Sequence, residues 1–197
     1  AAGVGAEGVD YEGSVDRVLA LLESSSPDDT ALWLARWLTG NEALEAGDAL
    51  AAVQEVDALD GNAQKARVVD MLYTAVRTTG RDSLNQESDY AADYARGYAA
   101  LETVFPGIED RDADGAFEQY GGDINLFASR VKTEQGGSID FMAPGGDVIV
   151  GLANTPAALV DVGNNVLGIV VSAAGDIRGF SREDILVNQS RILTVGG

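Results

Sequence analysis

The sequence predicts an α+β chain, an N-terminal α-helical domain followed by a short right-handed parallel β-helix. Three observations lead there. Residues 13–107 place apolar side chains at helical spacing between start and stop signals. From Gly121 a short phrase recurs, two small residues, a polar one, then alternating apolar positions. Its copies are Gly121-Gly122-Asp123-Ile124-Asn125-Leu126, Gly136-Gly137-Ser138-Ile139-Asp140-Phe141, Gly145-Gly146-Asp147-Val148-Ile149-Val150 and, more loosely, Ala174-Gly175-Asp176-Ile177-Arg178-Gly179-Phe180. Charge also changes between the two parts, with 24 acidic and 8 basic residues in 1–120 against 8 and 5 in 121–197.

Residues 1–12 are rich in Ala and Gly and are expected to form a flexible N-terminal arm. They have neither the basic start nor the apolar centre of a signal peptide. Ser14 is positioned to cap a first helix, Val15 to Glu23, with Val15, Val18, Leu19 and Leu22 on one stripe. Ser26 as cap and Pro27 at the first helical position open a second, which carries Leu32, Trp33, Ala35, Trp37 and Leu38 and stops at Gly40. A third runs from Asn41 to Leu59. Asn62 caps a fourth, Ala63 to Thr79, ended by Gly80. After a polar loop, a fifth spans Asp89 to about Val104 and ends at Pro106-Gly107. Five helices with short connections pack as an α-helical domain over 13–107.

Each copy of the repeated phrase reads as a turn feeding a strand. Glycine supplies positive φ, Asp or Ser bonds back to the turn, and alternation sends Ile124 and Leu126, or Ile139 and Phe141, to one face. Strands this short cannot bury that face alone, and stacking copies along one axis would bury it, hence a β-helix over 121–197. The copies begin 15, 9 and 29 residues apart, so some coils must carry excursions. Leu152 to Leu159 reads as such a loop. Val166 to Val171 is a nearly all-apolar strand, buried on both faces or paired with another chain. Ile185, Leu186 and Val187 would add core. Open strand edges make Val166, Leu167, Ile169, Val171, Ile192, Leu193 and Val195 the candidate self-association residues.

The formal charge of −19 repels phosphate backbones and anionic lipid, so nucleic acid is not an expected partner. No run approaches the roughly 18–20 apolar residues a membrane span needs, and membrane insertion is not expected. With neither cysteine nor histidine, disulfide, thiol and imidazole chemistry are excluded. The aspartates after Gly121 mostly follow a glycine, a position where backbone bonding explains them, so no catalytic residue is assigned and no enzyme is expected.

The one pattern with metal chemistry is Asp110-Arg111-Asp112-Ala113-Asp114-Gly115-Ala116-Phe117-Glu118, in the acidic linker 108–120. Asp110, Asp112 and Asp114, the carbonyl of Ala116 and Glu118 match the first half of a calcium loop, with Gly115 at its turn. Position twelve is Gly121, where a bidentate Glu should stand. No cofactor is required by any motif, and calcium is the ion this loop would take; the alternative is a solvated linker. Tyr90, Tyr94 and Tyr98 recur every four residues, a stripe suited to carbohydrate or protein binding or to docking the last helix on the open end of the β-helix. Trp33 and Trp37, also four apart, read as core or as a sugar-stacking platform.

The run GGDINLFASRVKTEQGGSIDFMAPGGDVIVGLANTPAALVDVGNNVLGIV, with GDIRGF and FSREDILVNQSRILTVGG after it, resembles the conserved-domain region toward the C-terminal part of large bacterial exoproteins of the filamentous haemagglutinin type. The segments ARVVDMLYTAVRTTGRD and DYAADYARGYAALETVFPG are similar to the helical lead-in that accompanies it, and the resemblance covers roughly Ala63 to Gly197. KTEQGG and LVNQSR carry its specificity. The resemblance implies a non-enzymatic adhesion module, secreted by a two-partner route to the extracellular space or cell surface. An outer-membrane secretion partner and a host or neighbouring cell surface are the implied partners. The N-terminal secretion domain of those exoproteins has no counterpart here, so the chain would be a piece or a reduced relative of one. Two further readings stand beside this one, a subunit of a self-assembling extracellular filament joined end to end, and a calcium-stabilised carbohydrate-binding module.

Overall fold

The computed structural model describes residues 8–24, 29–115, 119–152 and 167–196. It divides into two compact units, Val9–Glu109 and a second containing Asp110–Gly197.

The described residues of the first unit hold five helices, α1 (Tyr11–Glu23), α2 (Asp29–Thr39), α3 (Ala46–Asp57), α4 (Gly61–Leu84) and α5 (Ala95–Val104). Aspartates take the N-cap positions that serine and asparagine were expected to hold. Asp10 accepts from the Gly13 N–H at 2.9 Å, while Ser14 sits one turn in and donates its hydroxyl to the Asp10 carbonyl at 2.6 Å. Asp60 accepts from the N–H groups of Asn62 and Ala63 at 3.0 and 3.1 Å. Asp60→Ala leaves both donors without that partner and is expected to lower stability by about 1 kcal/mol, read as a shifted urea midpoint. The expected cap at Ser26 and first turn at Pro27 lie outside the described residues.

Two helix ends differ from expectation for local reasons. Asn41 forms a turn instead of restarting a helix, accepting the Ala43 N–H at 3.2 Å. At the other, α4 runs through Gly80. One glycine disfavours a helix by only about 1 kcal/mol, and here burial of Thr79 and Ser83 on either side outweighs it. The core is built from Val15 and Val18, Leu34 and Leu38, Val53, then Val68, Met71 and Leu72, with Phe105 and Ile108 after α5. Helix α4 packs on α1, α2 and α5. Among the described residues no helix is long and apolar enough to cross a membrane.

The described residues of the second unit hold eight short strands, β1 (Ile124–Leu126), β2 (Arg130–Thr133), β3 (Ile139–Ala143), β4 (Val148–Val150), β5 (Gly168–Val171), β6 (Ile177–Ser181), β7 (Ile185–Val187) and β8 (Arg191–Thr194). They form three small sheets ordered β1-β4-β7, β2-β5-β8 and β3-β6, and every pairing is parallel. This corrects the expected right-handed parallel β-helix. Helices and strands are segregated along the chain, but among the described residues the strands fall into separate sheets of two or three, with no continuous solenoid. Unequal spacing gives the reason. Paired positions lie 24 residues apart for Ile124 and Val148 but 37 for Val148 and Ile185. A solenoid stacks coils of near-constant length.

The repeated phrase nevertheless marks strands, since β1, β3, β4 and β6 each begin inside one copy, after its small and polar residues. Its polar residue works differently from expectation. Asp123 Oδ1 accepts the Asp147 N–H at 2.9 Å and Asp147 Oδ1 accepts the Asp184 N–H at 2.8 Å, so each carboxylate ties its strand to the next one instead of to its own turn. Ser138 Oγ likewise accepts the Asp176 N–H at 3.1 Å. Between β3 and β6, Arg178 reaches its cross-strand partner Asp140 with two bonds, Nε at 2.7 Å and Nη2 at 3.2 Å. Ala143, Val148, Val150 and Ile169 are the buried core, and Ile124, Leu126, Ile139, Phe141, Ile177 and Ile192 pack against it.

Candidate functional site

Of the expected calcium ligands, Asp110, Asp112 and Asp114 fall among the described residues. Asp112 Oδ1 accepts the Asp114 N–H at 2.9 Å and its carbonyl accepts the Gly115 N–H, a turn that spends one carboxylate on backbone. Ala116 and Glu118 lie outside the described residues. Among the described residues no three Asp or Glu side chains gather around one point that would hold a metal ion.

The tyrosine stripe is broken because α5 begins only at Ala95. Residues 85–94 are turns stitched by short polar side chains. Glu87 N–H bonds to Asn85 Oδ1, Tyr90 N–H to Ser88 Oγ and Ala95 N–H to Asp93 Oδ1. Tyr94 and Tyr98 are exposed, and Tyr90 turns its face onto Arg96, whose guanidinium carbon stands 3.3 Å from the ring centroid. Arg96 also meets the Trp33 ring, at 4.9 Å. Trp33 is buried and meets Trp37 edge to face at 6.1 Å, which is the core reading of that pair. Arg96 is 8% exposed, and its Nη2 lies 3.5 Å from Asp82 Oδ2. The carboxylate of Asp82 is turned toward Arg81, whose Nε and Nη2 both reach Oδ1 at 3.3 Å. Sequence reading missed Arg96, although a single basic residue inside Tyr94-Ala95-Arg96-Gly97-Tyr98, in so acidic a stretch, was the available signal.

The self-association residues divide. Ile169 and Val171 are buried in β5, which pairs with β2 on one side and β8 on the other, so its backbone is taken within the chain. Leu167 precedes β5 and is partly buried, and Val166 lies outside the described residues. Ile192 and Leu193 are partly buried in the edge strand β8, and Val195 beyond it is exposed. The apolar edge itself is β7, which was expected to be core. Among the described strands it pairs only with β4, and Ile185, Leu186 and Val187 are 44, 41 and 47% exposed. An edge strand presents unpaired backbone groups on alternate residues, and three apolar side chains in a row leave it without the charges that usually guard such an edge. Beside it stands Asp184, a carboxylate in the position from which Asp123 and Asp147 each accept the next N–H.

In comparisons with known proteins, no family model, no curated protein and no solved structure matches the chain.

Proposed function

We propose that the chain is a non-enzymatic structural module of a secreted bacterial surface protein, whose β unit joins a second copy through the β7 edge. The observation that carries the reading is the exposed strand Ile185-Leu186-Val187 with Asp184 at its head. Strand addition supplies such an edge with backbone partners and covers its side chains. The segment that suits it is β1 of another copy. Asp123-Ile124-Asn125-Leu126 already lies in parallel register on Asp147-Val148-Ile149-Val150, and the latter lies in the same way on Asp184-Ile185-Leu186-Val187. Joining β7 to β1 is heterologous, and such contacts propagate into filaments where the rotation does not close. The resemblance of residues 63–197 to haemagglutinin-type exoproteins supports the same class of function. Under it, the outer-membrane secretion partner and a host or neighbouring cell surface are the proposed partners. The aspartates Asp123, Asp140 and Asp147 are engaged in strand-to-strand bonds, which favours a structural over a catalytic role for them.

Sedimentation velocity over a wide concentration range tests the reading. The wild-type chain is expected to form species larger than 20.5 kDa as concentration rises. Leu186→Lys, which places a charge on the edge, is expected to remain at the monomer mass. A wild-type chain that sediments as a monomer throughout would overturn the proposal.

A further inference from the structure

We infer that the joint between copies is two strands wide, β7 and β8 of one copy laid on β1 and β2 of the next, with Asp184 fixing its register; this rests on the reading above that copies join through β7. Matching contour is the first reason. Both pairs of strands lie at sheet edges, β1 and β2 on one side of β4 and β5, β7 and β8 on the other. Ile124 and Ile185 open β1 and β7, Arg130 and Arg191 open β2 and β8, and each couple stands 61 residues apart. The connections inside the two pairs are therefore equal in length. Between β4 and β5 the chain instead runs through residues 151–167, so the match belongs to the two outer layers alone. Across the joint, 184–194 lies on 123–133 residue for residue.

Unspent polar groups are the second reason. Asp123 Oδ1 accepts the Asp147 N–H at 2.9 Å, while the Ile124 N–H goes the opposite way, to the Asp147 carbonyl at 2.8 Å. One strand on, Asp147 Oδ1 accepts the Asp184 N–H at 2.8 Å and the Val148 N–H goes to the Asp184 carbonyl at 2.9 Å. Two opposed bonds thus clasp each strand to the next in one register. Among the described residues, no hydrogen bond reaches the Asp184 carboxylate or leaves the Asp123 N–H, and both residues are exposed. The joint brings this acceptor and this donor together. It also lays Ile185 on Ile124, Val187 on Leu126 and Ile192 on Val131; of these, Ile185, Val187 and Val131 are exposed in the single chain. One contact opposes it. Arg130 and Arg191 are the register partners of Gly168 on its two sides, so Arg191 of one copy meets Arg130 of the next. Like charges directly opposite destabilise a strand pair, and this one restrains the joint.

Sedimentation velocity of the full chain reads the concentration at which half the protein is associated. Asp184→Ala is expected to raise it about tenfold, although the change removes a negative charge from an acidic chain. The Asp184 carboxylate holds no described partner, so the urea midpoint of the dilute variant is expected to match wild type. Arg130→Glu and Arg191→Glu, made singly, each place opposite charges across the joint and are expected to lower the concentration about threefold. The double variant restores a like-charge pair and is expected to lose that gain, a non-additivity that separate effects on folding or net charge do not produce. A wild-type chain that stays monomeric sinks this joint together with the reading it rests on. A wild-type chain that associates, while Asp184→Ala leaves the concentration unmoved or the two charge reversals fail to couple, overturns the two-strand joint and leaves the reading standing.

Discussion

Gly168→Ala is expected to destabilise the β unit by about 2–5 kcal/mol, from two causes that act together. Gly168 opens β5 at φ +120°, a backbone conformation that an L side chain adopts only under strain of roughly 1–2 kcal/mol. An added Cβ would also run into the carbonyl oxygen of Arg191 in the neighbouring strand β8. That obstacle is backbone, and it belongs to the register partner of Gly168, so relief requires β8 to move away from β5. Overpacking of this kind contributes a further 1–3 kcal/mol or so. Against a total stability on the order of 5–15 kcal/mol, the loss is a large fraction. Urea unfolding followed by far-ultraviolet circular dichroism gives the check. An unchanged midpoint would mean that the close approach of β5 and β8 is not what holds the sheet.

Why Gly168 escapes a reading of the sequence is instructive. It stands in Val166-Leu167-Gly168-Ile169-Val170-Val171, where apolar neighbours signal a strand and nothing local signals that another backbone will press on it. The paired glycines announce themselves better but do not all act alike. Gly122, Gly136 and Gly137 have positive φ, as expected of turns. Gly145 is instead needed because a Cβ there would meet the backbone of Tyr120 and Gly121. Strands after glycine turns were legible, whereas β2, β7 and β8 lack that lead and their partners are set by register between distant segments. The expected β-helix came from the repeat. Coils of unequal length, visible in the same spacings, carry the strands into three small sheets instead.

Helices were legible where a stripe and a stop coincided, as in α2 at Gly40. They were not where a polar side chain competed for the backbone, as at Asn41, or where one aspartate outranked a nearby serine, as at Asp10. The tyrosine spacing suggested one long helix because periodicity cannot see that Ser88 and Asp93 will bond to the backbone and hold 85–94 in turns. That interruption is what brings Tyr90 over Arg96. The candidate edge at β7 was hidden for a different reason. Ile185-Leu186-Val187 has the composition of core, and only the strand order shows that no described strand lies beyond it.

Leu72→Ala is expected to lower the stability of the helical unit by about 2–5 kcal/mol, the range for emptying a buried leucine site. Leu72 is fully buried in α4, the helix that packs on α1, α2 and α5, so the space it leaves is bounded by several helices that cannot all close in on it. Leu84→Ala is the internal comparison. It makes the same chemical change in the same helix, but Leu84 is 78% exposed, and its loss is expected to stay within about 0.5 kcal/mol. Helix propensity favours alanine slightly at both positions and cannot separate them. Urea unfolding monitored by the fluorescence of Trp33 and Trp37, both in this unit, resolves the pair. With a slope of about 1–3 kcal/mol per molar urea, Leu72→Ala should move the midpoint by roughly 1–2 M and Leu84→Ala by a few tenths. Equal shifts would mean that α4 is held by its own backbone and caps, and that the stripe Val68, Met71, Leu72 and Ala75 is not the core around which the other helices pack.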